Sequence, residues 1–78
     1  MTLTYIIEDL DGLDYMVDFE FHRELSDQLV FDGAWSVVCV MDYGIVCDMP
    51  HNVDQIISRW LAAGGEDKIY AAAERAFR

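Results

Sequence analysis

Asp14-Tyr15-Met16-Val17-Asp18-Phe19-Glu20-Phe21-His22-Arg23-Glu24-Leu25 is the stretch whose reading decides the fold. Tyr15, Val17, Phe19 and Phe21 are apolar, whereas Asp18, Glu20, His22 and Glu24 between and after them are polar. A repeat of two is the mark of a strand with one face in a core and the other in water. Here the wet face is also acidic. The rest of the chain is read outward from this strand.

Ahead of it, Leu3 to Leu10 is β-branched and aromatic, which predicts a partner strand. Asp11-Gly12 supplies a hairpin turn, because Gly accepts the positive φ of a tight reversal. A strict two-residue loop sets Glu8 opposite Tyr15. A three-residue loop sets Ile7 by Val17 and Tyr5 by Phe19, and the expectation is this second register, which keeps apolar beside apolar.

Behind it, Ser26-Asp27-Gln28 reads as a turn and Leu29-Val30-Phe31 as a short strand or a loop tucked under the core. Trp35 to Met41 is the most apolar segment and predicts an interior strand or one with an apolar exposed patch. Asp42-Tyr43-Gly44 reverses the chain into a fourth strand, Ile45 to Met49, which Pro50 ends. Asn52 and Gln55 have the spacing of a capping box. Val53, Ile56, Ile57, Trp60 and Leu61 then form one helical stripe. Gly64-Gly65 reads as a helix stop, and Glu66-Asp67 opens a second helix whose stripe is Ile69, Tyr70, Ala73, Ala76 and Phe77. Strands followed by helices predict a single α+β domain over residues 1–78, an antiparallel sheet of three or four strands with two C-terminal helices packed on one face.

Charge narrows the function. The chain carries −10, but residues 1–54 hold twelve carboxylates against Arg23 alone, a net of −11, and the remainder is near neutral. A direct nucleic-acid binder needs a basic footprint, so that class is excluded. The aromatic and aliphatic content excludes a disordered acidic tail. No basic segment precedes an apolar one at the N-terminus and no apolar run is long enough to span a bilayer, so the expected location is cytoplasmic.

No chemistry-bearing motif stands out. A phosphate loop, a nucleophile elbow and a His-Glu-x-x-His helix are all missing. Asp9 to Asp14 fails as a calcium loop because its Gly comes too early and no Glu closes it. Cys39, Cys47, His22 and His51 lack the close paired spacing of zinc ligands, and a three-residue turn puts the two cysteines opposite one another as reduced thiols. Neither enzymatic activity, nor a cofactor, nor a metal is expected.

The acidic face is what remains. Alternate residues on a strand stand about 6.6–6.8 Å apart, a scale close to that of phosphates along one nucleic-acid strand. Asp18, Glu20 and Glu24, flanked by Asp14, Asp27 and Asp32, are therefore the candidate partner-binding residues. In size, acidity and α+β order the chain resembles the small acidic inhibitor proteins of bacteriophages, of which the anti-CRISPR proteins are the nearest group and some act as DNA mimics. That resemblance implies an inhibitor inside the host cell whose partner is a basic host protein or a CRISPR effector complex. The other class the sequence allows is a structural or assembly protein that associates through apolar residues of Trp35 to Met41 or through Tyr43. Either a monomer or a homodimer fits.

Overall fold

The two-residue repeat of the opening stretch holds from Asp14 to His22 and ends there, with Arg23 and Leu25 exposed. The computed structural model describes residues 1–78 and begins with β1 (Thr2–Leu10), β2 (Leu13–Arg23), β3 (Leu29–Asp42) and β4 (Ile45–Cys47). These form one antiparallel sheet in the order β1-β2-β3-β4. Tyr15, Val17, Phe19 and Phe21 are each no more than 1% exposed. A helical run covers that face, giving an α+β fold of two layers. Leu3 and Ile7 of β1, Leu29 and Val40 of β3, and Ile56, Ile57, Leu61, Ile69 and Ala73 of the helical layer complete the core.

The β1–β2 hairpin corrects the expected register. Leu10 faces Leu13 across a two-residue turn, with Asp11 at φ 52° and Gly12 at φ 82°. Both central residues thus take the positive φ that suits the twist of a hairpin. One extra residue then enters β1 between Ile7 and Leu10, where Asp9 adopts φ 52°. This bulge moves the pairing to Ile7–Tyr15, Tyr5–Val17 and Leu3–Phe19. Apolar still meets apolar, but two residues away from the expected partners.

β3 is a single long strand in place of a short run and a separate strand. The Asp32-Gly33 pair that follows the short apolar run is a bulge, with Gly33 at φ 77°, lying where the pairing steps from Phe19–Trp35 to Phe21–Phe31. The Phe31 amide donates to Tyr70 Oη at 2.8 Å, so the helical layer holds the strand just before that bulge. A second irregularity at Val38 returns Val40 to the core opposite Tyr15.

The helical part is one C-terminal run over residues 53–76 with a sharp kink inside it. A first limb (Val53–Trp60) passes through a wide turn (Leu61–Gly65) directly into a second limb (Glu66–Ala76). Gly64, at φ 116°, leaves helical geometry between the two limbs, so the double glycine interrupts the run where a helix stop is expected. Trp60 lies against Phe19 (centroids 6.2 Å apart) and Tyr5 (5.8 Å), while Phe21 meets Tyr70 (5.5 Å) and Phe77 (6.3 Å). Asn52 makes no side-chain capping bond; the Val53 amide instead bonds the Pro50 carbonyl at 3.2 Å. Ala76 is exposed, and Ala72 packs against the core in its place.

A candidate protein-binding face on the sheet

With the helical layer on one side, nothing covers the other side of the sheet. That open face carries the even positions of β1 and β2 and their neighbours on β3. Two of its carboxylates are held by the edge strand. Thr4 Oγ1 donates to Asp18 Oδ1 at 2.7 Å, and Thr2 Oγ1 donates to Glu20 Oε1 and Oε2 at 2.9 and 3.0 Å. A carboxylate has about four acceptor sites, so one hydroxyl fixes its orientation while leaving the others free for an incoming donor. The arrangement gives two fixed anionic rungs at alternate strand positions.

Beyond them the face is locked by His22. Its Nδ1 meets Asp32 Oδ1 on the β3 bulge, and its Nε2 lies 3.3 Å from Glu24 Oε1. Hydrogen bonds to Asp32 first, then to Glu24, raise its pKa above the usual 6.5. β2 has ended at Arg23, so Glu24 is not a further rung of the ladder; its carboxylate joins this end of the face through His22.

The other two candidates stand apart. Asp14 Oδ1 accepts the Asp9 amide at 2.9 Å and so fastens the hairpin bulge. With Asp9 and Asp42 it lines a cleft of ≈ 280 Å³ at the hairpin end. Asp27, at φ 65°, sits in the turn after β2 with its carboxylate 3.7 Å from Arg23. Arg23 also bonds the Asp27 and Phe77 carbonyls, tying that turn to the end of the helix. Asp27 thus belongs to a structural clasp.

The face is not acidic throughout. Ile6, Met16 and Cys39 are register partners across β1, β2 and β3, and Met41 faces Val46 at the β4 edge. This apolar band separates Asp14 from Asp18. Its signal in the sequence is Met16, an apolar residue at an even position of an otherwise polar face. The Thr2 and Thr4 contacts depend on the hairpin bulge, which shifts them opposite Glu20 and Asp18.

The cysteines are also rearranged. Tyr43 and Gly44, at φ 49° and 80°, close a two-residue turn that places Cys47 opposite Val40 on the core side. Cys39 pairs with Met16 on the open side, so the two free thiols lie on opposite faces of the sheet. No group of three or more His, Cys, Asp or Glu side chains is placed to hold a metal ion. No helix is long and apolar enough to cross a membrane. No protein-family model, curated protein or solved structure matches the chain.

Proposed function

We propose that this chain is a non-enzymatic acidic inhibitor that occupies a basic nucleic-acid-binding surface of a host protein or ribonucleoprotein. The observation that carries the reading is the pair of fixed rungs, Asp18 on Thr4 and Glu20 on Thr2, on an uncovered sheet face. Oriented carboxylates lose little freedom on meeting Lys or Arg, which raises the return from each contact. Glu24 and Asp32 extend the anionic surface past His22, and Asp14 and Asp27 add to the field that steers a basic partner. On this reading the chain is a phage protein of the anti-CRISPR type, a group of which some members act as DNA mimics, working in the host cytoplasm with a CRISPR effector complex first among its partners. It neither binds nucleic acid itself nor needs a cofactor.

The test is a pull-down from nuclease-treated bacterial lysate, washed at rising salt and challenged with duplex DNA. A basic nucleic-acid-binding complex released by both salt and DNA supports the proposal. A partner that resists both contradicts it.

A second reading has its own support. Ile45, Val46 and Tyr43 are 72, 66 and 97% exposed beside the Met16–Cys39–Met41 band. A structural or assembly protein associating through that apolar surface would bind its partner independently of salt.

A further inference from the structure

The edge of the sheet at β1 is open in a way that fits a second copy of the chain. Met1 and Phe21 exchange both backbone hydrogen bonds at 2.7 Å each way, the Phe21 amide donating to the Met1 carbonyl and the Met1 terminal ammonium to the Phe21 carbonyl. In an antiparallel ladder such pairs alternate with non-bonded ones. Leu3, Tyr5 and Ile7, facing Phe19, Val17 and Tyr15, are therefore the bonded residues of β1. Thr2, Thr4 and Ile6 lie between them, and their amides and carbonyls point away from β2 toward the free edge.

Natural sheets blunt such an edge with short strands, charge, Pro or bulges. The opposite edge shows these devices. β4 has only three residues between Asp42 and Asp48, and the part of β3 beyond it is broken at Asp32-Gly33 and at Val38. β1 has none of them from Thr2 to Ile7: no charge, no Pro and a regular register until the bulge after Ile7.

We infer that this edge pairs with β1 of a second copy, antiparallel and centred on Thr4, to join two sheets into one. In that register Thr4 faces Thr4 of the second copy and Thr2 faces Ile6, so every outward group finds a partner in about six hydrogen bonds. On the core side Leu3 comes opposite Tyr5, and the exposed Met1 of the second copy comes opposite Ile7. Ile7 lines an open cleft of ≈ 380 Å³ with Tyr5, Trp60 and Lys68, which gives that methionine an apolar place to lie. Moving the centre toward the hairpin draws Glu8 of each copy into the ladder, which disfavours other registers. Charge does not forbid the pair. The acidic rungs on β2 of the two copies stand three strand spacings apart, about 14 Å, beyond the screening length of about 8 Å at physiological ionic strength.

Sedimentation of the full chain over a range of concentrations, with amide exchange read by NMR, tests the inference. The expected result is a monomer–dimer equilibrium in which the Thr4 and Ile6 amides become at least tenfold more protected as the dimer forms. Thr4→Pro removes an outward N–H, and Ile6→Lys adds an edge charge without touching the carboxylate contacts. Both are expected to be monomers with unchanged circular dichroism. A wild-type chain that is monomeric at about 1 mM, or a dimer that survives both substitutions, overturns it. So does a monomer whose edge is protected only by an added extended peptide. Loss of the dimer leaves the acidic-face proposal standing, since Asp18→Lys with Glu20→Lys is expected to bind no basic partner yet still dimerise.

Discussion

Trp60 lies on Gly65 so closely that a Cβ at Gly65 would come 2.4 Å from Trp60 Cδ2 and Cε3. The bend in the helix and the indole packing against Phe19 are therefore one feature: the ring occupies the space that any other residue at 65 would fill. Gly64 differs, because its neighbourhood is open and only its φ of 116° requires glycine.

Gly65→Ala is accordingly expected to lower stability by about 1–3 kcal/mol through overpacking, measured by urea unfolding. The near-UV circular dichroism of Trp60 changes with it. Gly64→Ala costs about 1–3 kcal/mol through backbone strain but leaves that signal alone. Equal near-UV spectra in the two variants would contradict the assignment.

His22 is expected to titrate above 6.5, because Asp32 and Glu24 both bond its protonated form. The sign follows. A pKa raised on folding adds stability that is fully present below the unfolded value and lost as pH rises through the folded one. Asp32→Asn brings the midpoint back toward 6.5, read by NMR of the imidazole. Deprotonation also makes the face more negative, so affinity for a basic partner rises over the same interval.

Oxidation reports whether the two thiols can meet. Cys39 and Cys47 occupy opposite faces of the sheet, so oxidised glutathione is expected to give mixed disulfides with release of glutathione, and no internal disulfide in the folded chain. Mass spectrometry under native conditions checks this. A loss of two hydrogens with no adduct contradicts the β3–β4 register.

Much of the architecture is legible in the residues. The Tyr15-to-Phe21 alternation fixes which face of β2 is buried, and the spacing from Val53 to Leu61 fixes the stripe that covers it. What escapes has a common cause, since glycine and aspartate at positive φ serve turns, bulges and bends alike. Asp32-Gly33 is a bulge inside β3, Asp9 a bulge inside β1, and Gly64 a pivot inside the helix. The Asp32-Gly33 pair resembles an element boundary and is not one, whereas Gly64 marks the kink between the two helical limbs. The candidate face suffers the same ambiguity. Asp18 and Glu20 are evident from period two, but their threonine partners depend on a register that the Asp9 bulge moves by one residue. The clasp between Asp27 and Arg23, and that between Asp32 and His22, arise from the folded turn and the β3 bulge, which sequence spacing does not encode.

The central claim is that the fixed carboxylates bind a basic surface. Its most direct measurement compares the wild type with an Asp18→Lys, Glu20→Lys, Glu24→Lys variant in parallel pull-downs. Exposed ion pairs contribute about 0.2–1 kcal/mol each, and reversal adds repulsion to their loss, so affinity is expected to fall about 100-fold. Circular dichroism should be unchanged, and Asp27→Lys should have little effect. Unchanged recovery of the same partner by the folded triple variant would contradict the account.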